Sequence, residues 1–252
     1  MNIIRKTHNL QSRGSTKHRP GTLLLGFLLL FPLLAALLYF VLFAGSKWAK
    51  PTYIAAKSLQ FGFPILYLLL VVREPLRIRP PDKKGILIGL ATGMALAIII
   101  LTAYHVYYRN LEFLKSASVR IWEKLVEIGA NTRMSYFGLG FFLSILHALL
   151  EEYYWRWFVW RELTKRWASW PAIFITNTAF TFHHVVVLYV YIPPPDFWTS
   201  GMLFSLAVML GGVVWSVLYR YVGSIYSAWA SHAVVDIALM YIGYDLCRSH
   251  WP

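Results

Sequence analysis

Residues 147–160, HALLEEYYWRWFVW, set two adjacent carboxylates, Glu151 and Glu152, inside a run that is otherwise apolar and aromatic. Together with the apolar residues from 136 onward, the run is long enough to cross a bilayer. An ionised side chain near the bilayer centre costs about 2.5–3.5 kcal/mol even on the lenient insertion scale, and acids kept there usually mark a functional site. Helical spacing decides which partners are in reach. Residues four apart share a face, whereas adjacent residues point about 100° apart. Glu152 is therefore expected to pair with Arg156, and Glu151 to face a different direction, beside His147 and toward a cavity.

The rest of the chain supports a membrane setting. Of 252 residues, 58% are hydrophobic, 17% aromatic and only 14% charged. A soluble domain carries about 25% charge. The net charge of +13 could suggest nucleic acid. However, the basic residues fall between apolar runs, where they act as topology signals, so no nucleic-acid partner is expected. The single cysteine, Cys247, excludes an intrachain disulfide framework.

Apolar runs of spanning length, about 20 residues each, lie near 21–44, 52–72, 85–107, 136–160, 168–191, 198–219 and 223–243. The expected fold is all-α: a polytopic bundle of seven transmembrane helices plus one amphipathic interfacial helix. The first run exceeds a signal-peptide core of about 7–15 residues, so it reads as a retained span. Pro32 and Pro64 should interrupt the hydrogen bonding of their helices, and neighbours in a bundle can absorb the loss. Lys57, near the start of the second run, is expected to snorkel to the interface.

Leu111, Leu114, Ile121, Leu125 and Ile128 alternate with charged residues at helical spacing, which makes 110–130 the amphipathic segment. The organisation read from these runs is a basic cytoplasmic tail over 1–20, N-terminal spans and the amphipathic helix over 21–135, a polar-bearing bundle over 136–243, and a short tail over 244–252. The tail, the Arg73–Lys84 loop, the Arg161–Arg166 loop and Arg220 fall on one side, which the positive-inside rule makes cytoplasmic. A multi-pass plasma-membrane protein with its N-terminus inside is expected.

Two later runs also carry polar groups: Phe180, His183 and His184 in one, His232 and Asp236 in the other. Asp236 stands one turn from His232 and could orient its imidazole. A desolvated carboxylate is a better general base near neutral pH, and a second polar pair can stabilise an oxyanion. This points to amide hydrolysis by an activated water. Cys247 is far from the histidines in sequence, and no serine-centred motif competes.

Glu151-Glu152-x-x-x-Arg156, Phe180-x-x-x-His184 and His232-x-x-x-Asp236 resemble, in order and spacing, the motifs of the CPBP family of intramembrane proteases. That family includes CAAX prenyl endopeptidases, bacteriocin-processing enzymes and bacteriocin-immunity proteins. The resemblance covers about residues 136–243. It implies a glutamic endopeptidase in which Glu151 activates water with help from His184, while Glu152 and Arg156 form a supporting pair. It also implies that His232 assists and that position 236 stabilises the oxyanion, usually with an asparagine. Here that residue is Asp236, whose ionised form would repel an oxyanion. Phe180 and Tyr154 are expected at the substrate site, while His183 and His147 read as bundle histidines.

The expected partners are a membrane-associated protein or peptide substrate and the lipid bilayer, with no cofactor. Two alternatives compete. Zinc held by the same glutamates and histidines would make a metalloprotease, although Arg156 would repel the cation. A non-catalytic immunity or interaction protein, or a transporter using the carboxylates as a proton relay, would keep the residues without the hydrolysis.

Overall fold

The computed structural model describes residues 20–251. Apart from Pro20, the basic tail expected over 1–20 lies outside the described residues. Eight helices follow in chain order: α1 (Thr22–Leu42), α2 (Ala49–Val72), α3 (Lys83–Tyr108), α4 (Glu112–Glu127), α5 (Arg133–Thr164), α6 (Ser169–Tyr191), α7 (Asp196–Val222) and α8 (Ile225–Leu246). All but α4 are long and apolar enough to cross a membrane. Among the described residues there is no strand. The chain is a multi-pass, all-α membrane protein.

Local chemistry sets the helix ends. Asp82 caps α3 by accepting the Gly85 N–H at 2.8 Å. Thr132 and Ser135 cap α5 reciprocally, each side chain taking the other's backbone N–H, so two otherwise orphaned donors are satisfied. Gly223 closes α7 in the left-handed region at φ 76°, a conformation glycine adopts without steric penalty. That turn reverses the chain directly into α8.

Close packing positions α8. Gly85, Gly89, Gly93 and Ala97 are buried at four-residue intervals along α3. A side chain at Gly89 would collide with the Ser227 carbonyl, and a Cβ on Gly93 would stand 2.8 Å from the Ser231 carbonyl. The two backbones therefore touch, as small residues allow between membrane helices. Ser231 is pinned by this contact, and the next residue, His232, turns into the bundle interior.

Proline positions α1. Pro32 has no N–H, so the carbonyl four residues earlier, Leu28 O, loses its helical donor. The Tyr154 hydroxyl donates to that oxygen at 2.7 Å. The link ties α1 to α5 less than one turn beyond Glu151.

The amphipathic helix caps the bundle. Leu114, Ala117, Ser118 and Leu125 of α4 are buried. The Cys247 thiol lies 3.7 Å from the Ser118 carbonyl, and Trp122 stacks on His250.

Candidate functional site

Glu152 lies in a buried network that engages its Oε1, while its Oε2 and Arg156 Nε have no hydrogen-bond partner among the described residues. It is 0% exposed, and its Oε1 accepts from Arg156 Nη1 at 2.9 Å and from His232 Nδ1 at 2.8 Å. Arg156 Nη2 reaches across to the Gly212 carbonyl of α7 at 3.1 Å and to Asn177 Oδ1 of α6 at 3.4 Å. Asn177 in turn donates to Ser216 Oγ at 2.9 Å. The guanidinium sits 4.9 Å from the Phe180 ring centroid and 5.4 Å from that of Trp215. Position 212 needs glycine, because a Cβ would clash with Asn177 Oδ1 and lie 3.3 Å from Arg156 Nη2. One ion pair thus joins α5, α6, α7 and α8.

Glu151 faces a different environment. Its Oε1 lies 3.6 Å from His183 Nε2 and 3.9 Å from His147 Nε2, and its Oε2 lies 3.9 Å from His232 Nε2. Three imidazole edges surround the carboxylate, all beyond direct hydrogen-bond length. Among the described residues no arginine or lysine forms an ion pair with it.

Neighbouring groups fix the histidine tautomers. The Phe180 carbonyl lies 2.9 Å from His184 Nδ1. A carbonyl only accepts, so Nδ1 carries the proton and Nε2 keeps its lone pair. Nitrogens of His183 and His184 and a carboxylate oxygen of Glu151 all lie within 4.8 Å of one another. His232 stacks on Trp215 at 3.8 Å between ring centroids. Its Nδ1–H is held by Glu152, and its Nε2 looks toward Asp236 Oδ1 at 3.6 Å.

The structure brings Glu151, Glu152, Arg156, Phe180, His184, His232 and Asp236 into one cluster on α5, α6 and α8. Its details differ from the spacing argument at several points. Glu152, not Asp236, makes the short bond that orients His232. The Asp236 side chain is 21% exposed against 4% for Glu151, so the cluster opens on the Asp236 side. His183, adjacent to His184 and read as a bundle histidine, also reaches Glu151, because the edge of α6 between the two residues faces α5. Its ring lies parallel to Trp155 at 5.9 Å. Tyr154 is buried with its hydroxyl committed to α1. Phe180 is buried too, with its carbonyl committed to His184 and its ring packed against Arg156. Asn177, Gly212, Ser216 and Trp215 were not legible from spacing, since they act only across helices.

Seven helices long and apolar enough to cross a membrane, around a buried cluster of carboxylates and imidazoles, define a polytopic membrane protein. Residues 133–238 match the family described as type II CAAX prenyl endopeptidase, Rce1-like, a family of membrane proteases. The matched part starts at the first residue of α5 and ends two residues past Asp236, so it holds the cluster and supports an intramembrane protease function. No curated protein and no solved structure matches the chain.

Proposed function

We propose that the protein is an endopeptidase that hydrolyses a peptide bond of a membrane-associated protein or peptide with a water activated by Glu151. The observation that carries this reading is the contrast on α5: Glu152 is locked by Arg156 and His232, whereas Glu151 is buried among imidazoles with no hydrogen bond to a cation. A carboxylate held in that way is free to take a proton.

In the proposed reaction a water gives a proton to Glu151 while its oxygen attacks the scissile carbonyl. His184, whose Nε2 keeps its lone pair, accepts a hydrogen bond from the same water and orients it. The tetrahedral oxyanion is met from α8. Both ring nitrogens of His232 face carboxylate oxygens, which accept, so a proton on Nε2 is available to the oxyanion. Asp236 supports it in its protonated, donating form. The proton held by Glu151 then passes to the leaving amine as the C–N bond breaks. Glu152 and Arg156 position His232 and do not touch the substrate. The basic loops between α2 and α3 and between α5 and α6 support, under the positive-inside rule, a reading in which the N-terminus is on the cytoplasmic face of the plasma membrane.

A second reading rests on one observation. Glu151, His183 and His184 offer ligand atoms within 4.8 Å of one another, and two histidines with one glutamate are the ligands of many catalytic zinc sites. One experiment separates the two. Purified full-length protein in detergent is incubated with a farnesylated, internally quenched peptide ending in a CAAX sequence, with and without a strong chelator. Cleavage indifferent to the chelator supports the glutamate reading. Cleavage abolished by it and restored by zinc supports the metal, and no cleavage by well-folded protein contradicts both.

A further inference from the structure

His232 is held at one nitrogen and free at the other. Its Nδ1 makes a short hydrogen bond, 2.8 Å, to Glu152 Oε1. Its Nε2, which meets the oxyanion in the proposed reaction, faces Asp236 Oδ1 at 3.6 Å and Glu151 Oε2 at 3.9 Å, both beyond hydrogen-bond length. One hydrogen bond fixes one atom of a ring and lets the ring swing about it. A donor is effective only when its N–H points at the acceptor, because a hydrogen bond weakens steeply as it bends. The plane of His232 therefore needs a second constraint.

Trp215 of α7 supplies it. Its ring lies over the imidazole at 3.8 Å between centroids, with 16° between the planes. Phe180 meets the same imidazole edge-on at 6.4 Å and 84°, and so gives it no flat support. The indole is itself anchored. Trp215 is 5% exposed, and its Nε1 donates to Ser231 Oγ at 3.2 Å. Ser231 precedes His232 on α8, where the close approach of Gly93 brings the α3 backbone against it. Glu152 thus holds the imidazole at an edge nitrogen from α5, while Trp215 holds its face from α7.

The molecule contains a second tryptophan in the same kind of packing. Trp251 stacks on Tyr244 at 5.2 Å and 18°, and its Nε1 donates to the Tyr244 carbonyl at 3.1 Å. Both indoles are flat against a ring and anchored through Nε1. They differ in what they face: Trp251 meets a tyrosine near the chain end, and Trp215 meets the imidazole that borders Glu151 and Asp236.

We propose that Trp215 is a positioning residue for the hydrolysis, its indole face fixing the plane of His232 so that Nε2 stays aimed between Glu151 and Asp236. The inference rests on the endopeptidase reading of the Glu151 cluster.

The test compares full-length wild type, Trp215→Leu, Trp215→Phe and Trp251→Leu in detergent, with Trp215→Met taking the place of the leucine variant should that one not fold. Each is measured for melting temperature, for kcat and KM on the farnesylated CAAX peptide per folded molecule, and for its nitrogen-15 spectrum after labelling at histidine. The His232 signals are assigned by their loss in His232→Gln. A misplacement of about 1 Å can cost on the order of 100-fold in rate, so Trp215→Leu should lose about 10–100-fold in kcat with KM within about threefold of the wild type. Its His232 signals should broaden or split. Trp215→Phe keeps a flat ring over the imidazole and should recover most of the turnover. Trp251→Leu should melt lower, with kcat per folded molecule and the His232 signals unchanged. Wild-type turnover in Trp215→Leu, an equal loss in Trp251→Leu, a phenylalanine variant as slow as the leucine one, or undisturbed His232 signals in Trp215→Leu would each overturn the inference while leaving the endopeptidase reading intact. A wild type that cleaves nothing, with the His232 signals disturbed by Trp215→Leu and not by Trp251→Leu, would uphold the hold on the imidazole and sink the endopeptidase reading.

Discussion

Glu151 and Glu152 are neighbours in the chain and occupy opposite physical situations. The Glu152 side is closed: one guanidinium, one imidazole, an asparagine, a serine and a glycine carbonyl complete each other across four helices. The Glu151 side is loose, with three imidazole edges at 3.6–3.9 Å and no short bond. A helix turns about 100° per residue, so two identical side chains can be sent to different tasks. In the proposed reaction the closed side holds geometry, and the loose side is where a proton moves.

The hardest break of that contrast is Arg156→Met. It leaves Glu152 buried without its guanidinium and with only His232 as partner, and a loss of about 3–5 kcal/mol is typical when one member of a buried ion pair is removed. Thermal unfolding in detergent should show a large fall in midpoint, with all cleavage lost. Replacing both partners, Glu152→Gln with Arg156→Met, should recover much of the stability and none of the activity. An Arg156→Met protein that melts like the wild type would mean the pair does not hold the four helices.

A smaller effect is expected on the loose side. His183→Phe keeps a ring against Trp155 but removes the nitrogen 3.6 Å from Glu151. Turnover should drop on the order of 10–100-fold, within the range of a lost proton-transfer partner, with little change in melting. Unchanged turnover would return His183 to a packing role.

Asp236→Asn sharpens the comparison further. Amide N–H₂ can donate to an oxyanion without needing a proton, so cleavage should stay within about threefold of the wild type or exceed it near neutral pH. Asp236→Leu, by contrast, should lose about tenfold. An asparagine variant as poor as the leucine one would show that the carboxylate itself is required.

The least effect is expected outside the spans. Burial pushes the Cys247 thiol up to about 11, so it stays protonated and unreactive at neutral pH. Maleimide labelling should be negligible in the folded protein and complete after denaturation. Rapid labelling of folded protein would show that α4 does not stay docked on residues 244–251.

Much of this was legible in the sequence, for a physical reason in each case. Seven spans follow from the run lengths a bilayer demands. The Glu152–Arg156 contact follows from i,i+4 geometry within one helix. What escaped depends on how helices face each other. Spacing said His183 points away from His184, but two adjacent residues straddling a helix–helix edge can both reach the neighbour. Asp236 stood in register to orient His232, yet Glu152 on another helix came closer. Tyr154 resembled a groove residue, while its hydroxyl is claimed by a carbonyl that Pro32 had freed on α1. Lys57 looked like an interfacial anchor, since nothing in its own segment announced that Gln60 would turn it inward.

The division of labour between the two glutamates is tested most directly by Glu151→Gln and Glu152→Gln, prepared side by side and measured for both melting temperature and single-turnover cleavage of the CAAX peptide. The account predicts that Glu151→Gln melts like the wild type and cleaves at least about a thousandfold more slowly. It predicts that Glu152→Gln melts clearly lower. A Glu151→Gln protein that still cleaves, or that loses its fold while Glu152→Gln keeps it, would contradict the account.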